Sequence, residues 1–241
     1  MKKTIDKDCS RPYVICHMVT SLDGKVTGPF LEEEACAEAT ELYYEINREF
    51  KADGFACGSV TMEGSFTGGF YPDLSEFREI NVPRTDHIAD KAAGYFAVSF
   101  DRRGLLGWQT SRIEDEDPGY DNAHVIQVLC EDVADEYLAY LRSVGVSYIF
   151  AGKSRDCFDV NEALMKLRSI FGIKLLLLEG GSVINGAFQR ADVIDELSLV
   201  VAPFIAGDTG KPLFTEGDLQ KFSLFQAERR EGNAIWLRYR R

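Results

Sequence analysis

The sequence predicts an α/β fold: a mainly parallel, mixed sheet flanked by helices on both faces, closed by a C-terminal antiparallel hairpin. Three observations carry this expectation. Short apolar runs alternate with segments of helical periodicity along most of the 241 residues, and such alternation builds a parallel sheet covered on both sides. Leu175 to Leu178 is a run of four leucines without polar alternation, which suits a strand buried on both faces. Phe222 to Arg229 and Ala234 to Tyr239 flank Gly232-Asn233, a pair suited to turning a hairpin.

The elements follow in order. Tyr13 to Thr20 (YVICHMVT) reads as a strand, and Ala35, Ala39, Leu42, Ile46 and Phe50 then recur at helical spacing. Gly54 to Cys57 is a short strand ending in a turn at Gly58-Ser59. Tyr95 to Phe100 and Val125 to Cys130 are further strands, separated by the acidic loop EDEDPGYDN, which reads as solvated. Tyr137, Leu138, Leu141 and Val144 form a helical stripe ahead of the strand SYIFA. Val160, Ala163, Leu164, Leu167 and Phe171 form another ahead of the leucine run. A short helix ends near Arg190, and Asp192 to Asp195 leads into the strand LSLVV. No linker-like tract interrupts the chain, so a single domain over 1–241 is expected.

Composition excludes several classes. Lys and Arg total 27 against 39 for Asp and Glu, a net charge of -12, so no basic surface suggests nucleic acid or anionic membrane. The six cysteines, Cys9, Cys16, Cys36, Cys57, Cys130 and Cys157, contain no C-x-x-C pair and no Cys/His spacing of a zinc site. They read as reduced thiols of a cytoplasmic protein without a metal. The start MKKTIDKDCSRP lacks the pattern of a secretion signal. The apolar segment Leu197 to Gly207 is shorter than the roughly 20 residues that span a bilayer.

The chemistry concentrates in Leu175 to Asn185, LLLLEGGSVIN. A buried strand that runs through two glycines into a helix exposes backbone N–H groups and the positive end of the helix dipole, a ready site for phosphate. A nucleotide is the first ligand this implies. No G-x-G-x-x-G follows the first strand, so a standard Rossmann domain has little support. Separate glycine turns at Gly58 to Thr61 (GSVT) and Gly180-Gly181 could instead converge at the carboxyl ends of parallel strands. His17 and the two tryptophans, Trp108 and Trp236, read as packing residues.

Four motifs in order carry a family resemblance. They are Ser21 to Lys25 (SLDGK), GSVT, LEGGSVIN, and Asp195 to Gly207 (DELSLVVAPFIAG). Together they resemble the pyrimidine reductases of riboflavin biosynthesis, whose fold is like that of dihydrofolate reductase, over about Pro12 to Phe214. The chain lacks the H-x-E and P-C-x-x-C of the zinc deaminase often fused to such reductases. The resemblance implies an NADPH-dependent reductase that forms a homodimer through sheet edges. Thr61 matches a threonine that contacts the cofactor, and Gly180, Gly181, Ser182, Val183 and Ile184 match the turn that receives the diphosphate. Gly152 falls where backbone meets the nicotinamide half. Ser99, Arg102 and Arg103 lie where the adenosine ribose and its phosphate are met, and an arginine there favours NADP. Glu179 matches a substrate position, Ser21 and Asp23 lie on the loop bordering it, and Glu179 or Asp23 could bind or protonate a substrate nitrogen. Asp23 could equally serve only its own turn.

One departure limits the resemblance. The family's D-D-P segment with a downstream arginine is absent, and an aromatic, Gly-containing loop, Phe66 to Phe77, stands in its place. Such a loop could close over a different substrate. The expected activity is therefore hydride transfer to a small heterocyclic or imine-like substrate, related to reduction of 5-amino-6-(5-phosphoribosylamino)uracil. The alternatives are a dihydropterin or folate-type reductase, and a non-catalytic NADPH-binding protein.

Overall fold

The computed structural model describes residues 10–241. In chain order the main elements are β1 (Tyr13–Thr20), α1 (Ala37–Phe50), β2 (Gly54–Gly58), α2 (Ser59–Met62), β3 (Phe96–Phe100), β4 (His124–Leu129), α3 (Asp135–Val144), β5 (Ser147–Phe150), α4 (Val160–Phe171), β6 (Leu175–Leu178), α5 (Ser182–Arg190), β7 (Glu196–Val201), β8 (Ser223–Arg229) and β9 (Ile235–Arg240). They fall into two compact units. One comprises Asp53–Lys174 with residues 10–12, the other Tyr13–Ala52 and Leu175–Arg241.

The first unit holds four parallel strands in the order β5-β4-β3-β2. Every residue of β3, β4 and β5 is buried, as expected of a parallel sheet covered on both faces. The register pairs Gly58 with Phe100, Phe100 with Val128 and Val128 with Ile149. The carboxyl ends of all four strands therefore form one level edge. The helix α4 starts on Asp159, whose carboxylate accepts from Asn161 N at 2.8 Å and Glu162 N at 3.3 Å, satisfying donors that the first turn leaves open. It stops at Gly172, which takes the left-handed conformation at φ 73°.

The second unit orders its strands β6-β1-β7-β9-β8. β1 is parallel to both β6 and β7, whereas β9 is antiparallel to β7 and β8. Leu176, Leu177 and Leu178 are fully buried, each contributing about 1.5–3 kcal/mol of hydrophobic stabilisation. α1 covers β1 and β7 through Ala39, Leu42 and Ile46, which pack with Val19, Val200 and Trp236. The hairpin is pinned to β7 by Glu196, 1% exposed, which accepts from Arg238 Nε at 2.6 Å and Arg240 Nε at 3.1 Å.

Periodicity places every main strand and the long helices; local details differ. Gly58-Ser59 is not a turn, because Ser59 opens α2 directly, and a π-helical turn, Glu63–Thr67, follows. Ala35 belongs to a 3-10 turn ahead of α1, and the hairpin turns through a further 3-10 segment, Glu231–Asn233. Cys16, Cys36, Cys57, Cys130 and Cys157 are free; Cys9 and the rest of the charged start, residues 1–9, lie outside the described residues. No described helix is long and apolar enough to cross a membrane.

Candidate active site

In the second unit, β6 ends where Leu178 pairs with Cys16, whereas β1 runs on to Thr20, which pairs with Val201 at the end of β7. The loop after β1 is stitched to the segment after β7. Leu22 N donates to Phe204 O at 2.7 Å, Val26 N to Lys211 O at 2.9 Å and Leu213 N to Gly24 O at 3.0 Å. Gly24 sits at φ 73°, which suits glycine. Asp23 completes the seam: it accepts from Ser21 Oγ at 2.6 Å and from Ala206 N and Gly207 N at 2.9 Å each. These donors, the Ser21 hydroxyl first, lower its pKa to about 2. A carboxyl so stabilised as the anion is no proton donor near neutrality, so of the two roles open to Asp23 the geometry favours the turn.

The glycine turn after β6 also departs from expectation in one residue. Gly180 adopts φ 92°, its peptide bond to Gly181 is cis, and a Cβ on it would lie 3.0 Å from Met18 Cε. Gly181 is the N-cap of α5 and supplies no side chain, so the first-turn N–H groups carry no side-chain cap. Val183 lies exposed on that turn. Ser182, however, is buried, and its hydroxyl is engaged by Pro212 O and by Thr215 Oγ1 at 2.6 Å.

Glu179 is 6% exposed, and its Oε1 accepts from Asn47 Nδ2 of α1 at 2.7 Å. Cys16 lies close by, its thiol pushed up by burial and then by the Glu179 charge. Sequence reasoning missed Asn47, although a polar residue beside the apolar stripe Ala39, Leu42, Ile46 was a usable signal. It also missed residues 208–215, the part of the segment after β7 that lies beyond the Asp195 to Gly207 motif.

In the first unit, Thr61 is the third residue of α2 and half-buried. Arg102 and Arg103 are exposed just past β3, the strand beside β2, in a turn closed by Asp101, which accepts from Leu105 N at 2.6 Å and Leu106 N at 3.0 Å. Ser99 is fully buried within β3. With the Gln127 amide turned to satisfy both its ends, its nitrogen donates to Ser99 Oγ at 2.9 Å and its oxygen accepts from Trp108 Nε1 at 2.8 Å. Ser99 therefore shapes the core and presents no hydroxyl to a ribose. Gly152 has φ 111°, and a Cβ there would lie 2.1 Å from Cys157 O, so the tight turn after β5 accounts for the glycine by itself. Arg102 Nη1 donates to Arg155 O of that same turn at 3.3 Å. Gly152 thus groups with the arginines, three strands and about 14 Å from β2.

The aromatic loop folds back on its own unit. Phe66 packs on Phe55 and Tyr120, Phe77 packs on Tyr140, and the Phe70 backbone leaves no room for a Cβ at Gly107. A cavity of about 220 Å³ lies beside it, bordered by Phe66, Thr67, Arg112 and Glu114. Among the described residues no cluster of His, Cys, Asp and Glu could hold a metal.

Comparison with known proteins agrees with this architecture. The chain superposes on a pyrimidine reductase-like protein from Corynebacterium diphtheriae with a TM-score of 0.66 at 16% identity, over 95% of this chain and 91% of that one. It also superposes on the riboflavin biosynthesis reductase of Saccharomyces cerevisiae with a TM-score of 0.60 at 14% identity, over 98% and 92%. The fold is that of an α/β reductase. Residues 119–234 match the RibD C-terminal domain family. A 2,5-diamino-6-ribosylamino-4(3H)-pyrimidinone 5′-phosphate reductase from Aquifex aeolicus is 32% identical over 220 residues, 86% of this chain and 84% of the relative. A reductase of the same name from Methanothermobacter thermautotrophicus is 26% identical over 86% and 85%. The chain belongs to the pyrimidine reductases of riboflavin biosynthesis and is an oxidoreductase.

Proposed function

We propose that residues 1–241 act as one NADPH-dependent reductase domain whose substrate is a ribosylaminopyrimidine 5′-phosphate of the kind the relatives are named for. The observation that carries the cofactor reading is the uncapped first turn of α5 behind Gly180-Gly181. Its N–H groups suit a diphosphate, and the residues that would hold NADPH there are Gly180, Gly181, Ser182 through its backbone, Val183 and Ile184. By the family resemblance Thr61, Arg102 and Arg103 are cofactor residues as well, the arginines suited to a 2′-phosphate, and Gly152 shapes the turn beside them. Bound NADPH supplies the hydride. In the open imine form of the substrate, C1′ accepts that hydride and the attached nitrogen accepts a proton, which gives a ribitylamine. The protein's part is to bind, align and exclude water. Glu179 and the loop carrying Ser21 and Asp23 border the substrate, Asp23 as the anchor of that loop.

Family membership favours the pyrimidine over a dihydropterin. The test is steady-state oxidation of NADPH with the diaminopyrimidinone phosphate, with its deaminated uracil counterpart and with dihydropterin, alongside calorimetric titration of NADPH and NADH. Turnover of a pyrimidine and tighter binding of NADPH are expected. NADPH binding without turnover of any of these would instead establish a silent binding protein. We further propose a cytoplasmic homodimer.

A further inference from the structure

Asn47 is an expensive residue where it stands. Asn is a weak helix former, and an amide on the inward face of α1, 4% exposed beside Ile46 at 1%, costs free energy unless it is hydrogen-bonded. Its Nδ2 meets one acceptor, Glu179 Oε1 at 2.7 Å, across 132 residues of sequence. Glu179 stands between the last buried leucine of β6 and Gly180, so its backbone is held by the strand on one side and by the glycine turn on the other. The Asn47 bond restricts its side-chain torsions. The Asn amide nitrogen only donates, so Glu179 Oε1 meets it as an acceptor.

We propose that Asn47 is a positioning residue: it holds the Glu179 side chain in the orientation in which its carboxyl oxygens accept N–H groups of the aminopyrimidine. This rests on the reading of Glu179 as a substrate residue. Asn47 itself touches neither substrate nor cofactor.

The test compares Asn47→Leu, Glu179→Gln and the double variant, each with melting temperature and with separate KM values for NADPH and for the pyrimidine phosphate. Leu is close to Asn in size and a better helix former, so the fold is expected to persist. Loss of a buried hydrogen bond predicts a fall of about tenfold in kcat/KM for the pyrimidine, chiefly through KM. The KM for NADPH should stay within about twofold, and the double variant should match Glu179→Gln alone, because Asn47 acts through Glu179. Asn47→Gln, which keeps an amide donor, should retain more activity than Asn47→Leu at equal stability; it also serves if the leucine variant does not fold. Wild-type kcat/KM in folded Asn47→Leu beside a crippled Glu179→Gln, or losses that multiply in the double variant, would overturn the role of Asn47 alone. Wild-type kinetics in Glu179→Gln would overturn the substrate role of Glu179 and this proposal with it.

Discussion

His17 shows how a single buried side chain sets a property of the whole fold. Its Nε2 faces Tyr43 O at 3.0 Å, its Nδ1 faces Ser198 Oγ at 3.0 Å, and its ring stacks on Tyr43 at 4.4 Å. Burial lowers its pKa to about 4. The proton therefore binds the unfolded chain more tightly, and the stability this histidine contributes is full above pH 6.5 and is lost as pH falls toward 4. The loss amounts to on the order of 3 kcal/mol at the acid end. Thermal melts of wild type and His17→Gln between pH 7 and pH 4 should show a shallower decline in the variant; parallel curves would refute the assignment. His17 was legible as a packing residue because its strand neighbours are apolar. Asp23 and Ser182 were not legible, because the groups that occupy them come from Ala206, Gly207, Pro212 and Thr215, residues remote in sequence that no local pattern connects to them.

Among the elements, the C-terminal hairpin depends on one carboxylate. Glu196 is 1% exposed and is met by Arg238 and Arg240 of β9, while Arg238 also lies over the rings of Phe50 and Trp236 at 5.1 and 5.3 Å. Glu196→Ala leaves Arg238 and Arg240, 18% and 34% exposed, without their acceptor, so it should cost about 1–3 kcal/mol, the range for a lost hydrogen bond to a charged group, measured by denaturant titration; a change below about 1 kcal/mol, the worth of a surface pair, would contradict it. Hairpin, strands and long helices could all be read from apolar spacing, since that spacing is the cause of their burial. The π-helical turn at Glu63–Thr67 and the folded-back loop after it could not. Their course depends on Phe66 meeting Phe55 and Tyr120 and on a glycine at 107 that admits the Phe70 backbone. The glycine turn of the site was legible because its chemistry is local, whereas the basic group of Arg102 with the turn of Arg155 required the strand order β5-β4-β3-β2.

For the molecule as a whole, assembly and folding order follow from topology. β8 ends the strand order of its unit and is exposed along nearly its whole length, an unpaired edge of the kind that natural proteins cover. Light scattering should therefore give twice the chain mass in solution, and a monomer would refute the proposed dimer. β1 has the opposite difficulty. Its two neighbours, β6 and β7, begin at Leu175 and Glu196, after the whole stretch Asp53–Lys174 of the first unit. At about 5–20 residues per second on the ribosome, β1 waits for roughly 10–30 seconds as an apolar segment with neither edge paired. The first unit can complete its own four strands during that interval. Expression yield should therefore depend on chaperone capacity and synthesis speed more than on the stability of the finished protein.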